Sequence, residues 1–130
     1  MKFLSDYIKK PQDALLTKLG IFFAFDMETF HKEKDPNVKK YITDGAGMLC
    51  PKENWETYKI KRKEIYLAAI EQDKKENSQK NIIERELNNY ECVYIGDPTD
   101  AIEQLSDYGY SEDDIYKVFN ELLASGDSVW

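Results

Sequence analysis

The sequence predicts an α+β fold in which a small, mostly antiparallel sheet of about three strands is packed against five or six helices. Apolar residues recur at the three- and four-residue steps of a helix over much of the chain. Three short runs, 21–25, 48–50 and 92–95, are rich in the apolar, β-branched and aromatic residues that form strands. The chain has 130 residues and no linker-like tract, so we expect a single domain over residues 1–130.

The start of the chain predicts helical segments on both sides of a strand. Residues 1–20 indicate one or two short helices that Pro11 interrupts, because proline removes a helical hydrogen bond. Residues 21–25 follow as a strand that we expect to be buried on both faces. Asp26 has the position of an N-cap and predicts a helix that ends near Lys34.

The middle of the chain predicts a short strand and the longest helix. Residues 38–42 favour a short helix or an edge strand, and a flexible loop at 44–47 leads into the strand 48–50. Apolar residues at helical spacing then predict a helix over 52–73. The polar residues 73–79 predict a loop or a kink.

The last third carries the clearest helix signals. A helix is expected over 81–90, and the apolar run 92–95 is expected to be the third strand. Asp97 is the expected N-cap of the next helix, with a proline at its first position. Ser111 and Asp114 have the spacing of a capping box, which predicts the start of the last helix.

Composition restricts the class of protein. No run approaches the roughly 20 apolar residues that cross a bilayer, and the first residues lack the apolar core of a secretory signal. We therefore expect a cytoplasmic protein without membrane contact. Cys50 and Cys92 are then expected to be reduced and packed in the core. A disulfide between them would require their two segments to be neighbours in space.

Charge is distributed unevenly along the chain, whose net charge is −7. Residues 86–130 hold eleven acidic side chains and one basic side chain, Lys117, whereas residues 1–85 hold fourteen acidic and seventeen basic side chains. The eleven acids are Glu86, Glu91, Asp97, Asp100, Glu103, Asp107, Glu112, Asp113, Asp114, Glu121 and Asp127. Because the last two helices must bury their apolar stripes, we expect these carboxylates to share the outer surface. The alternative is that they only cap helices and solvate a face.

An acidic surface repels nucleic acid and attracts the basic clefts of proteins that bind nucleic acid. The sequence therefore predicts a protein-binding surface in the last third of the chain, with no direct binding of nucleic acid. Tyr108 and Tyr110 are expected to be its exposed anchors, since tyrosine is enriched at interfaces. The predicted partner-binding residues are Asp107, Tyr108, Tyr110, Glu112, Asp113 and Asp114.

No motif predicts catalysis, a metal site or a cofactor. His31 is the only histidine, so zinc sites built on a histidine pair are excluded. A Cys–His nucleophile made with Cys50 or Cys92 has no local signature. The loop from Asp44 to Gly47 lacks the lysine of a phosphate-binding loop, and we interpret it as a tight turn.

A basic cluster on the long helix is interpreted as an ion-pair lattice. Its four cations are interrupted by acids, which breaks the continuous charge that a nucleic-acid patch would present. The cluster consists of Lys59, Lys61, Arg62 and Lys63, with Glu56 and Glu64 as the acids.

Three stretches together carry a resemblance to a known family. They are Phe22-Phe23-Ala24-Phe25 with the acid that follows, Gly45-Ala46-Gly47-Met48 leading into Cys50-Pro51-Lys52-Glu53-Asn54, and Glu86-Leu87-Asn88-Asn89-Tyr90-Glu91-Cys92 leading into Asp97-Pro98-Thr99-Asp100-Ala101. The set resembles a family of small uncharacterised proteins encoded by phages and mobile elements of Bacteroidota bacteria, over residues 21–123. That family has no established catalytic residues, so the resemblance implies none. It implies a context in which small acidic proteins are often inhibitors of host defence, including anti-CRISPR and anti-restriction proteins.

Three functions are open on the sequence alone. The favoured one is a non-enzymatic binding protein that inhibits a host nucleic-acid enzyme, such as a CRISPR effector, by docking its acidic last third on a basic surface. The second is a small enzyme or ligand-binding domain that uses the loop from Asp44 to Gly47 and a cleft near Cys50. The third is a structural or regulatory subunit of an assembly, for instance a homodimer built on the long helix.

Overall fold

The computed structural model describes residues 1–125, which form seven α-helices and one three-stranded antiparallel sheet. This content confirms the predicted α+β fold class, with one helix more than expected. Packing contacts divide the chain into two compact units, residues 1–69 and residues 70–130. A single domain over the whole chain stays a prediction. Among the described residues, no helix combines the length and the apolar character needed to cross a membrane.

The first unit opens with one continuous helix, α1 (Leu4–Lys18), so of the one or two helices left open by the sequence a single one is present. Pro11 lies inside it, so the expected interruption is wrong. Leu4 and Leu15, on either side of the proline, are both buried, and Pro11 itself is exposed. Burial of the apolar face therefore holds the helix together across the one hydrogen bond that proline cannot donate.

Three short strands form the sheet of the first unit: β1 (Phe22–Phe23), β2 (Tyr41–Thr43) and β3 (Met48–Pro51). Their order is β1-β3-β2, and both outer strands are antiparallel to the central β3. Of the two structures left open for residues 38–42, the edge strand is therefore the one present. The strand expected over 48–50 is confirmed as the centre of the sheet.

The strand expected over residues 21–25 is shorter and more exposed than the sequence indicates. Only Phe22 and Phe23 pair with β3, at the edge of the sheet. Phe23 is 51% exposed and Phe25 is 82% exposed, so the expected burial on both faces is wrong. A short apolar run has the same composition in a central strand as in an edge strand, which explains the error.

Helix α2 (Met27–Glu33) begins as predicted, since the Thr29 N–H donates to the Asp26 carboxylate over 2.7 Å. Phe30 of α2 packs against Phe22 and Tyr41, with ring centroids 6.2 and 5.7 Å away. Aromatic contacts thus join α2 to the sheet. The core of this unit is a cluster of buried side chains: Leu15, Leu19, Ile21, Met48, Cys50 and Tyr58.

The longest helix, α3 (Trp55–Glu76), follows a 3₁₀ turn at Lys52–Asn54 and continues from the first unit into the second. The loop or kink expected over 73–79 is wrong for its first residues, because α3 ends only at Glu76. Asp73 is completely buried on this helix. Residue type alone does not distinguish a polar residue on the buried face of a helix from a polar residue in a loop.

The second unit adds four helices to the end of α3: α4 (Gln79–Asn89), α5 (Cys92–Ile95), α6 (Thr99–Gln104) and α7 (Glu112–Ser125). A 3₁₀ turn at Ser106–Tyr108 follows α6. The buried apolar side chains within residues 79–125 include Ile82, Ile83, Leu87, Cys92, Ala101, Leu105, Tyr108, Ile115, Val118 and Phe119. Asp127, the last acid in the sequence, lies outside the described residues.

Residues 92–95 form helix α5, so the third strand expected there is wrong. Glu91 before it and Gly96 after it both have left-handed backbones, with φ 53° and φ 79°. The chain thereby enters and leaves a single helical turn that buries Cys92 and leaves Tyr94 74% exposed. An apolar run of four residues is too short for its period to separate a helix from a strand.

Two of the three predicted helix starts of the second unit are found within one residue of their expected positions, and α4 begins two residues earlier than expected. The Asp97 carboxylate accepts the Thr99 N–H over 3.0 Å, although Pro98 and not Asp97 stands directly before α6. Ser111 and Asp114 form the predicted capping box, in which Asp114 N–H donates to Ser111 Oγ over 3.1 Å and Ser111 N–H donates to Asp114 Oδ2 over 3.2 Å. Two of the eleven acids, Asp97 and Asp114, therefore do cap helices. This agrees, for these two residues, with the alternative interpretation that the acids serve as helix caps.

Candidate partner-binding site

The predicted partner-binding residues lie on one short stretch, from the 3₁₀ turn at Ser106–Tyr108 to the first turn of α7. Tyr110 is half-buried. The carboxylate-bearing members are all exposed: Asp107, Glu112, Asp113 and Asp114. These four side chains are thus accessible to a partner from solvent.

Tyr108 is buried, with 2% of its surface exposed, so the expectation of an exposed anchor is wrong. Its hydroxyl donates to Asp73 Oδ2 over 2.6 Å. Burial, and next the hydrogen bond to this carboxylate, raise the pKa of Tyr108 well above its usual value. The ring points inward because its one polar atom has a partner in the interior.

Asp73 is the centre of a buried polar network. Arg85 of α4 donates from Nη1 to Asp73 Oδ1 and from Nη2 to Asp73 Oδ2, each over 2.9 Å. Asn77 donates from Nδ2 to Asp73 Oδ1 over 2.9 Å, so each carboxylate oxygen accepts two hydrogen bonds. Burial opposes the ionisation of Asp73, but the hydrogen bonds from Arg85, Tyr108 and Asn77 outweigh it and lower the pKa of Asp73.

Glu86 belongs to this interior and not to the acidic surface that the sequence predicts. It is 4% exposed and accepts a hydrogen bond from Arg85 Nε over 3.1 Å. Burial raises the pKa of Glu86, and the Arg85 guanidinium opposes that shift. One arginine therefore serves two buried carboxylates, and each of them faces a positive charge.

Lys74 of helix α3 holds the turn in which Asp107 lies. Its Nζ donates to the Tyr108 carbonyl over 3.0 Å and lies 5.7 Å from the centre of the Tyr110 ring. The rings of Tyr108 and Tyr110 are themselves 5.7 Å apart. The turn is therefore fixed from inside by a hydrogen bond, a cation–π contact and a buried phenol. Fixing a surface in advance lowers the entropy that it loses on binding.

The acidic side chains within residues 91–121 are displayed to solvent. All nine acidic side chains within residues 91–121 are exposed, and Lys117 is the single basic residue in that stretch. On α7, helical spacing places Asp113 on the side opposite the buried Ile115 and Phe119. The nine acids are Glu91, Asp97, Asp100, Glu103, Asp107, Glu112, Asp113, Asp114 and Glu121.

The edge where α7 meets α4 has mixed charge. Lys80 of α4 lies 3.8 Å from Glu121 and 4.0 Å from Glu84, measured from Nζ to the nearest carboxylate oxygen. A cleft of about 280 Å³ on this edge is lined by Asp114, Lys117 and Glu121, together with Lys80. Lysine therefore partly neutralises this edge, to which Asp114 belongs.

The two cysteines lie in the core, and His31 lies on α2. Cys50 and Cys92 are fully buried, which confirms their interpretation as core residues, and no disulfide joins them. Burial raises the pKa of both thiols and so makes them poor nucleophiles. The His31 ring packs beside Phe30, with centroids 5.5 Å apart. No group of three or more potential metal ligands occurs in residues 1–125.

The loop from Asp44 to Gly47 is the tight turn that the sequence indicates. Asp44 Oδ1 accepts the Ala46 N–H over 2.8 Å, and Gly47 has φ 89°. This left-handed backbone favours glycine, and a Cβ at Gly47 would also require the exposed ring of Phe25 to move. Beside the turn lies an open cleft of about 540 Å³, lined by Ala24, Phe25, Asp26, Met27, Phe30, Thr43, Gly45, Gly47 and Leu49.

Residues 4–125 match the model of a family of unknown function, DUF7659. The chain belongs to this family. No curated protein and no solved structure matches it. The matched segment of this DUF7659 protein includes the Asp73 network and all six of the predicted partner-binding residues.

Sequence reasoning missed Asp73 and Arg85 in this DUF7659 protein. Asp73 follows Ala69 by four residues and Ile70 by three, and both of these are buried. That spacing is a signal, because it places a carboxylate on the buried stripe of a helix. A buried carboxylate needs a cation, yet the sequence alone does not single out Arg85 among the nearby basic residues.

Proposed function

We propose that this DUF7659 protein is a non-enzymatic, acidic binding protein that inhibits a nucleic-acid-binding defence protein of a bacterial host. It would dock the acidic surface of its second unit on a basic surface of that protein. The observation that carries the proposal is the exposure of nine carboxylates within residues 91–121, against one basic residue in the same stretch. A channel that holds phosphate backbones is basic by necessity, and such a surface can occupy it as a competitor.

The proposed contact residues are Asp107, Tyr110, Glu112, Asp113 and Asp114. The first of these is held on a turn that hydrogen bonds and aromatic packing fix to α3. Charged groups on a fixed surface speed the encounter with an oppositely charged partner and set its orientation. Tyr108 does not touch the partner in this proposal, but it supports the turn from the interior.

CRISPR effectors are the class of target that we favour. The resemblance to proteins of phages and mobile elements of Bacteroidota supports this choice by association, because small acidic proteins of such elements are often inhibitors of host defence. An origin on a mobile element and an action in the bacterial cytoplasm are both parts of the proposal.

The test is a binding-rate measurement on a panel of purified Bacteroidota CRISPR effector complexes. We expect at least one complex to bind the protein at low salt, and to lose target-DNA cleavage when it does. Asp107→Lys with Asp113→Lys should slow association about tenfold and change dissociation much less, as is usual for charge steering. Raising the salt should produce the same slowing in the wild-type protein.

A matched control separates a local docking surface from net charge. Asp13→Lys with Glu33→Lys makes the same change in net charge, at exposed positions of the first unit. This control variant should associate nearly as fast as the wild type. Equal slowing in both double variants, or no effect of either, would contradict the proposed surface.

A second candidate function, ligand binding in the first unit, is favoured by the cleft of about 540 Å³ beside the turn from Asp44 to Gly47. Its lining is mainly apolar, with the Phe25 ring over Gly47 at its rim. The matching test is a titration with nucleotides and sugars in which the NMR chemical shifts of residues 43–49 are monitored. Saturable shifts that disappear in Asp44→Ala would favour this function, because that change removes the acceptor of the Ala46 N–H.

A further inference from the structure

We propose that the groove between α1 and α3 in the first unit binds an acidic, amphipathic helix of a partner protein. The groove has a volume of about 460 Å³. Its apolar lining includes Ile8 of α1 with Ile65 and Tyr66 of α3, all half-buried. Its basic lining consists of Lys59, Arg62 and Lys63, and no carboxylate of residues 1–125 lines it.

The three cations stand on one side of α3. Their spacing of three and four residues brings neighbouring side chains together on a helix surface. Lys59 lies 3.0 Å from Glu56, and Lys61, outside the groove, lies 3.3 Å from Glu64, so the predicted ion-pair lattice is confirmed for these two pairs.

A cation–π contact with Tyr58 positions Arg62 at the groove. Its guanidinium carbon lies 5.4 Å from the centre of the Tyr58 ring, and Tyr58 is 4% exposed and therefore fixed in the core. Within residues 1–125, no carboxylate forms an ion pair with Arg62 or with the neighbouring Lys63. A cation–π contact of this kind stabilises the guanidinium beside the ring, and the planar set of N–H donors on an arginine matches the geometry of a carboxylate.

The lining determines the chemistry of the occupant. Cations beside an apolar floor fit a ligand that has carboxylates on one edge and aliphatic side chains on the other. The stretch from Lys59 to Tyr66 covers about 10 Å of helix axis, which matches about two turns of a second helix laid in the groove. Nucleic acid fits less well, because three cations neutralise few phosphates while the chain as a whole carries −7.

The test uses a fluorescent peptide of about 16 residues, with leucines at helical spacing flanked by glutamates, and follows its anisotropy as the whole protein is added. We expect saturable binding at about 50 mM NaCl that weakens at about 500 mM. Arg62→Glu with Lys63→Glu should weaken the binding at least about tenfold. Lys39→Glu with Lys40→Glu makes the same change in net charge at exposed residues outside the groove, and it should weaken binding about twofold or less.

Three further probes make the test decisive. A peptide of the same composition in scrambled order, and a peptide with lysines in place of the glutamates, should both bind at least about tenfold more weakly. Equal binding of the scrambled peptide, or equal losses in the two double variants, would overturn the groove. Tighter binding of a short DNA duplex, lost in Arg62→Glu with Lys63→Glu, would also overturn the proposal by identifying a nucleic-acid site. The acidic surface of the second unit is not involved, so this test and that of the proposed function fail independently.

Discussion

The Tyr108 hydroxyl connects the interior of the second unit to its acidic turn. It donates to Asp73 Oδ2 over 2.6 Å, while Lys74 holds the carbonyl of the same tyrosine over 3.0 Å. A single residue is thus fixed through both its side chain and its backbone. The acidic residue before it, Asp107, is positioned by these bonds without taking part in them.

Removal of the Tyr108 hydroxyl should therefore destabilise the protein. We expect Tyr108→Phe to lower the free energy of unfolding by about 1–2 kcal/mol, because Asp73 loses a buried donor. Urea denaturation gives the measurement. Tyr110→Phe is the control, because Tyr110 is only half-buried, and it should change stability by less than about 0.5 kcal/mol. Equal effects of the two changes would contradict the importance of the Tyr108–Asp73 bond.

Asp73 should also give stability a specific dependence on pH. Its pKa is lower in the folded protein than the unfolded value of about 3.9, so its contribution is complete above that value and is lost as the pH falls through the folded pKa. Asp73→Asn should cost about 3–5 kcal/mol at neutral pH, since it leaves the Arg85 charge buried with a weaker partner. The measurement is the difference in unfolding free energy between wild type and variant from pH 7 downward. We expect that difference to shrink below about pH 4; a constant difference would contradict the assignment.

At the scale of elements, α1 contains Pro11 in its interior, and the burial of its apolar face compensates for the destabilising effect of this proline. Alanine at position 11 supplies a backbone N–H where proline has none, although proline also limits the unfolded chain and so offsets part of the gain. We expect Pro11→Ala to stabilise the protein by about 1–2 kcal/mol in thermal or urea unfolding. Lys10→Ala, at the preceding exposed position, should change stability by less than about 0.5 kcal/mol. Destabilisation by Pro11→Ala would show that the proline is itself favourable in this helix.

The elements that could be predicted from sequence are those with local chemistry. Asp26 and Ser111 accept backbone N–H groups at helix starts, and both of those helices were predicted from these residues. The sequence predicts a strand over residues 92–95, because an apolar run of four residues is too short to show the period of a helix. The left-handed backbone of Glu91, which turns that run into a helix, is rare for a residue with a side chain and has no sequence signal.

The charge of the candidate site could be predicted from the sequence, but the buried contacts that hold its turn in place could not. The number and positions of the acidic residues can be read from the sequence, so Asp107 and Asp113 could be predicted as surface carboxylates. Tyr108 could not be placed in the core, because the carboxylate that receives its hydroxyl is 35 residues away in the chain. Contacts of that separation depend on the tertiary structure, which residue type and spacing do not reveal.

At the scale of the molecule, the chain forms two compact units with one helix, α3, running from one into the other. We expect them to unfold together, as the predicted single domain requires. Asp73→Asn should then reduce the hydrogen-exchange protection of backbone amides in β3 as much as in α4. Retained protection in β3, with loss in α4 alone, would show instead that the first unit is stable by itself.

The length of chain between Asp73 and Tyr108 has a consequence for synthesis on the ribosome. Until residue 108 has emerged, the carboxylate that organises the second unit has Arg85 and Asn77 as donors but not the tyrosine hydroxyl. A nascent or prematurely terminated chain that stops before this residue therefore carries an incompletely paired ion in its forming interior. Such a product should be recognised by cellular proteases, so that quality control discards chains that lack the acidic turn.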